Sequence, residues 1–167
     1  MLSVLHDYGV RATFFLVGEK AEEYPELVAR IARGGHEIAN HSYTHRRAQQ
    51  LTGPEILAEI EACREVLHRI TGMDPTLFRP PGGRVGCAGL QALAASRHTL
   101  LMWTNNADDW LRPAPETIAA NALERLEPGG IILMHQGSME SLLALPLIIE
   151  GAANKGIKLG TASEMLE

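Results

Sequence analysis

Gly35-His36-Glu37-Ile38-Ala39-Asn40-His41-Ser42-Tyr43-Thr44-His45 is a short apolar run that breaks into two histidines four residues apart. Residues 36–40 predict a strand, and His41 and His45 follow its carboxyl end. An i, i+4 spacing on a helical turn puts both imidazoles on one face. A catalytic zinc site typically takes three protein ligands and keeps one position open for water. His41 and His45 therefore read as a metal-binding pair that needs a third ligand.

The segments on either side of this run alternate between strand and helix patterns. Residues 1–8 are helical in pattern but lack an N-cap, so the chain is expected to begin inside a helix. Residues 12–17, Ala-Thr-Phe-Phe-Leu-Val closed by Gly18, predict a strand covered on both faces. Pro25 opens a helix that Gly34-Gly35 ends. Thr52, with Glu55 three residues on, has the capping-box signature of a long helix. Its apolar stripe is Ile56, Ile60, Cys63, Val66, Leu67 and Ile70, and Gly72 stops it. Further strands are expected over 76–78, 99–104, 131–134 and 157–159, and further helices over 90–96, 115–126 and 141–155. Such alternation calls for a parallel sheet with crossover helices, either open or closed into a barrel.

Each polar cluster follows the carboxyl end of a predicted strand. His41 and His45, Arg79 with Pro80-Pro81-Gly82-Gly83, Asp109-Trp110 and His135 all do so, and barrel enzymes assemble their sites at that end. Plainer readings stand beside these: a core role for Trp110, a rigid turn for 80–83, and surface or core roles for His6, His36, His68 and His98.

At 167 residues the chain has the size of one domain with a single core. Its net charge of -5, without a basic patch, argues against nucleic acid or an anionic membrane as partner. Cys63 and Cys87 show no CxxC or zinc spacing and read as plain thiols. No apolar run approaches the ~20 residues of a membrane span. No signal peptide opens the sequence, which leaves the compartment open.

Five motifs occur in the order found in the polysaccharide deacetylases of the NodB-homology type, carbohydrate esterase family 4. They are Ala12-Thr13-Phe14-Phe15 with Gly18, the segment from Gly35 to His45, Arg79 to Gly83, Asp109-Trp110, and Leu133-Met134-His135. The chain resembles that family from Leu2 to Leu166. The resemblance implies an α/β fold, an incomplete (β/α) barrel of the glycoside hydrolase/deacetylase type, as a single domain over 1–167. It implies metal-assisted hydrolysis of N-acetyl or O-acetyl groups on a polysaccharide such as chitin oligomers, peptidoglycan or acetylxylan.

By the same resemblance His41 and His45 hold a divalent ion, zinc first, with cobalt or nickel as substitutes. His135 is the general acid and Asp109 orients it; Arg79 belongs to the catalytic set as the residue that holds the base. Trp110 and Leu133 line the slot for the acetyl methyl, and the backbone at Pro81 and Gly82 helps form the oxyanion hole. In the family, an Asp-Asp strand preceding the first helix supplies the general base and the third metal ligand. The one Asp-Asp pair in this sequence is Asp108-Asp109. A domain truncated before its first strand, a weakly held ion and little or no turnover are therefore expected. An acetylated sugar polymer is the expected partner, and a homo-oligomer is expected to cover the open barrel edge. The alternatives are a non-catalytic carbohydrate-binding relative and a small-molecule hydrolase of cyclic amides or imides. Members of the family are often secreted or held in the cell envelope.

Overall fold

A computed structural model describes residues 1–166 of the protein. The elements in chain order are α1 (Leu2–Asp7), β1 (Thr13–Leu16), α2 (Gly18–Glu23), α3 (Pro25–Arg33), β2 (Glu37–Asn40), α4 (Gly53–Thr71) and β3 (Leu77–Phe78). They continue with α5 (Cys87–Ala95), β4 (Thr99–Leu100), β5 (Asn105–Asn106), α6 (Pro115–Leu123), β6 (Ile132–Leu133), α7 (Met139–Asn154) and α8 (Ala162–Leu166). Two compact units result: a central unit of residues 13–102, and a terminal unit that joins residues 1–12 to those from 103 onward.

The central unit holds a four-stranded parallel sheet in the order β1-β2-β3-β4. β1 and β2 pair from Thr13 opposite Glu37 to Leu16 opposite Asn40. Phe78 of β3 lies opposite Asn40 on one side and Leu100 on the other. The apolar stripe of α4 packs on this sheet: Ile56, Ile60 and Phe78 are buried together with Ala48, Leu51 and Leu93. α4 starts where its sequence says it should. Thr52 Oγ1 accepts the Glu55 N–H and the Glu55 carboxylate accepts the Thr52 N–H at 2.8 Å, while Gly72 closes the helix in the left-handed region.

The sequence pattern does not reveal α2, a six-residue helix with no apolar stripe of its own. Its start is satisfied from outside: the N–H groups of Gly18 and Glu19 donate to the carbonyls of Ser42 and Tyr43, each at 3.0 Å. Gly18 is required by the closeness of this approach. A Cβ there would sit 2.4 Å from Tyr43 Cδ2 and 3.1 Å from Tyr43 Cα.

In the terminal unit β5 and β6 form a parallel pair, Asn105 opposite Ile132 and Asn106 opposite Leu133. α6 and α7 pack through Ala107, Ile118, Ala119, Ala122, Ala144 and Ile148. The small alanines let the two helices approach closely. α1 is tied to α7 by the Tyr8 hydroxyl on Glu150, and Arg11 pairs with Glu164 of α8.

The order of strands and helices follows the sequence reading, and both sheets are parallel, but several boundaries differ. Of the strand expected over 99–104 only Thr99–Leu100 is formed, paired to β3, and a separate strand follows it at Asn105–Asn106, paired to β6. Residues 157–159 form no strand; the Ile157 N–H is taken by the Ala152 carbonyl at the end of α7. α6 ends at Leu123 rather than 126, because Glu124 is extended and Arg125 lies in the left-handed region at φ 53°. α5 runs from Cys87 to Ala95, three residues earlier at its start than the helix expected over 90–96, so the exposed Cys87 thiol lies in its first turn.

The α4 cap gives a direct check on the fold. Thr52→Ala should lower stability by about 1 kcal/mol, read as a shift of the urea midpoint at unchanged slope. An unshifted midpoint would show that the cap contributes nothing to the fold.

Candidate functional site

His41 and His45 lie just past β2, with ring centroids 5.0 Å apart and planes at 62°. The helical turn expected between them is absent. Residues 41–45 are irregular, and two non-glycine residues, Ser42 at φ 65° and His45 at φ 62°, occupy the left-handed region. Such residues cost of order 1–3 kcal/mol each and persist only where the surroundings enforce them. Those surroundings are specific: Asn40 Oδ1 accepts the Ser42 N–H at 3.0 Å, and Ser42 Oγ accepts the His45 N–H at 3.1 Å. The rings meet because of this folded-back loop, not because of helical periodicity.

His41 Nδ1 lies 2.7 Å from the Arg79 carbonyl. A carbonyl only accepts, so Nδ1 carries the proton and Nε2 is the lone-pair nitrogen. Metal-ligating histidines are commonly fixed in this way, by the second ring nitrogen donating to a backbone carbonyl. The donor set suits a divalent ion as far as it goes. Among the described residues no group of three or more His, Cys, Asp or Glu is gathered about one point, so this pair is two donors of the three a catalytic zinc site takes.

Arg79 lies in the same unit, at the end of β3. Its Nε donates to the Leu101 carbonyl at 3.0 Å and its Nη2 to the Met102 carbonyl at 2.8 Å. The guanidinium lies 4.1 Å over the Phe15 ring, a cation–π contact. Burial pushes its pKa down to about 10, which leaves it charged at neutral pH. Pro81 is fully buried and Gly82 exposed, at φ 70°, and the turn is closed by the Gly83 N–H on the Pro80 carbonyl.

The terminal unit contains a second constellation. Asp109 is 1% exposed and accepts three hydrogen bonds. His135 Nδ1 lies 2.8 Å from Oδ1, while the His135 N–H and the Ser141 hydroxyl reach Oδ2 at 2.7 Å each. A carboxylate is an acceptor only, so His135 Nδ1 is the protonated nitrogen. Nε2 is then left for chemistry on a side chain that is 51% exposed. Burial alone would raise the Asp109 pKa. Hydrogen bonds from the His135 ring, the His135 N–H and Ser141 outweigh it and hold the carboxyl below its ordinary value.

Trp110 is not a core residue; it is 62% exposed. Leu133 is half-buried in β6. A groove of about 560 Å³ in this unit, lined by Thr104, Asn106, Asp108, Asn121 and Arg125 among others, includes neither His135 nor Asp109. Hydrogen bonding, not concavity, marks this site.

Three residues that position these groups are missing from the sequence reading: Asn40, Glu59 and Ser141. Each is a polar residue at an apolar position. Asn40 ends a buried strand, and Ser141 lies on the buried face of α7 with Ala144, Leu145 and Ile148. Glu59 is three residues past Ile56 and four before Cys63, on the apolar stripe of α4. That misplacement was the available signal.

Residues 1–118 match the family model for polysaccharide deacetylase, which is well over half of the chain. The chain belongs to the polysaccharide deacetylase family. YlxY of Bacillus subtilis, an uncharacterized protein, is 36% identical to this deacetylase-family chain over 169 residues, covering 100% of the chain and 52% of YlxY. A peptidoglycan-N-acetylglucosamine deacetylase of Bacillus cereus is 34% identical over 174 residues, covering 100% of the chain and 62% of that protein. BA3943 of Bacillus anthracis, a pseudoenzyme of carbohydrate esterase family 4, matches with a TM-score of 0.94 at 29% identity, over 99% of this chain and 59% of BA3943. A mutant of BA3943 has restored enzymatic activity. The chain thus spans roughly half to three-fifths of the length of these relatives. Deacetylases of this family are generally metal-dependent hydrolases.

The Asp109 environment has a pH signature. Folding lowers this carboxyl's pKa, so its contribution to stability is complete above the unfolded-state value of about 3.9 and is lost as pH falls through the folded-state value. Asp109→Asn should therefore cost about 2 kcal/mol at pH 7. The difference in urea midpoint from wild type should shrink as the pH is taken below about 4. A difference that stays constant from pH 7 to pH 3 would contradict this assignment.

Proposed function

We propose that this chain carries deacetylase-type chemistry directed at an acetylated sugar polymer, on an incomplete (β/α) barrel that forms one domain over 1–167. The observation that carries the reading is the His41 and His45 pair, 5.0 Å apart and with the His41 tautomer set by the Arg79 carbonyl. His41 and His45 would hold zinc, with cobalt or nickel as substitutes. Such an ion, when bound, polarises an acyl carbonyl and lowers the pKa of a coordinated water.

His135 is the general acid in this reading. Asp109 holds the Nδ1 proton, so the imidazolium form gives its second proton, on Nε2, to the departing amine as the amide carbon–nitrogen bond breaks and is left as the neutral Nδ1–H imidazole. Arg79 belongs to the catalytic set and holds the backbone at Leu101 and Met102. The backbone at Pro81 and Gly82 contributes to an oxyanion hole, and Trp110 with Leu133 lines the slot for the acetyl methyl. The N-acetylglucosamine named for the Bacillus cereus relative supports chitin oligomers or peptidoglycan as the substrate class, ahead of acetylxylan.

With two donors and, among the described residues, no group of three His, Cys, Asp or Glu gathered about one point, the chain is expected to hold zinc loosely and turn over slowly. The likeness to BA3943, a pseudoenzyme, favours a second reading in which the fold binds carbohydrate without cleaving it.

Both readings meet the same experiment. The zinc-supplied chain should bind N-acetylglucosamine oligomers and release acetate at least ~10²-fold more slowly than the Bacillus cereus deacetylase, the loss typical when a general base is missing. Zinc retained after dialysis should be substoichiometric and fall to background in His41→Ala. Zinc content unchanged by that substitution would refute the metal assignment, and failure to bind any oligomer would refute the substrate class.

A further inference from the structure

We infer that Glu59 of α4 is the positioning residue that sets how the His41 and His45 rings face each other, and through them the affinity of the pair for a divalent cation. The inference rests on the reading of that pair as metal ligands.

The two histidines are separated by Ser42, Tyr43 and Thr44, in a loop with no ladder or helix to fix it. The carboxylate of Glu59 takes three donors from two of these residues. Oε2 accepts the Tyr43 N–H at 3.0 Å and the Thr44 N–H at 2.8 Å, and Oε1 accepts the Thr44 hydroxyl at 2.7 Å. The carbonyl side of the same loop is held separately, by the Gly18 and Glu19 N–H groups on Ser42 and Tyr43. Glu59 thus clamps the donor side. His45 sits one residue past this clamp, already bent into the left-handed region, so a rotation of the 43–44 peptide swings its ring relative to that of His41.

The chemistry requires a carboxylate. Three converging donors need a group that only accepts, and ionised Glu supplies two oxygens with lone pairs to spare. A glutamine would keep one acceptor oxygen and turn an NH2 toward at least one of the donors. An aspartate is one methylene too short. Glu59 is not counted as a third ligand, since among the described residues no three His, Cys, Asp or Glu are gathered about one point. Residues that orient metal ligands in this indirect way typically change affinity by 10–100-fold when lost.

The test uses the full chain and zinc alone. Zinc dissociation constants are measured by competition with a chromophoric chelator for wild type, Glu59→Gln, Thr44→Val and His41→Ala. The Co²⁺ absorption spectrum and metal-free amide NMR spectra are recorded for the same set. Glu59→Gln should weaken zinc binding about 10-fold or more, change the Co²⁺ spectrum and shift the Tyr43 and Thr44 amide protons upfield. Thr44→Val, which removes only the hydroxyl contact, should show a smaller loss in the same direction. It decides the matter if Glu59→Gln fails to fold. A folded Glu59→Gln, or failing that Thr44→Val, with wild-type zinc affinity would overturn the inference while His41→Ala abolishes binding. If His41→Ala leaves zinc binding intact, the metal reading falls first and this inference falls with it.

Discussion

The buried amide of Asn40 is the contact on which the histidine loop of the central unit depends. Fully enclosed at the end of β2, it donates from Nδ2 to the Ile60 carbonyl at 2.8 Å and accepts the Ser42 N–H on Oδ1. One side chain therefore joins a strand, the middle of α4 and the first turn of the histidine loop. A buried amide that lost its partners would cost about 1–3 kcal/mol for each group left unpaired, which explains why the strand ends on Asn and not on another Val or Ile. Ser42 is itself left-handed, so the chain folds back on itself there, and the loop on to the second left-handed residue, His45, is held by Ser42 Oγ, by Glu59 and by the start of α2.

The terminal unit shows the same construction with different parts. Asp109, buried and held below its ordinary pKa by hydrogen bonds from His135 and Ser141, stores a negative charge where burial alone would disfavour it. It returns that charge as a fixed imidazole tautomer. Ser141 is locked in turn by Ser138, the N-cap of α7, through Oγ contacts and the Ser141 N–H. The helix start and the Asp109–His135 pair are thus one hydrogen-bonded unit, so α7 supports that pair as well as covering the β5–β6 pair.

Much of this was legible in the sequence. Apolar runs and capping signals gave the parallel α/β order, because β1, β2 and α4 are encoded by local patterns that tertiary contacts reinforce. His41, His45, Arg79, Asp109 and His135 stood out because they follow strand ends. What the sequence hid was non-local. α2 has no stripe and is satisfied by a loop some two dozen residues later, and the strand expected over 99–104 stops at Leu100 because the chain beyond it pairs with a different neighbour, β6, at Asn105–Asn106. The histidine spacing suggested a helical turn, and the rings do meet, but through positive-φ residues whose enforcement comes from Asn40, Glu59 and Gly18. Polar residues on apolar stripes, such as Glu59 and Ser141, were visible as misfits; what they hold became clear only from the fold.

Whether His41 and His45 form a metal-ligating pair short of a third protein donor is decided by X-ray absorption on the zinc-loaded chain. Two imidazole ligands are expected at about 2.0–2.1 Å, with the remaining positions filled by light oxygen donors. A first shell containing sulfur at about 2.3 Å, or one without histidine scattering, would contradict the assignment.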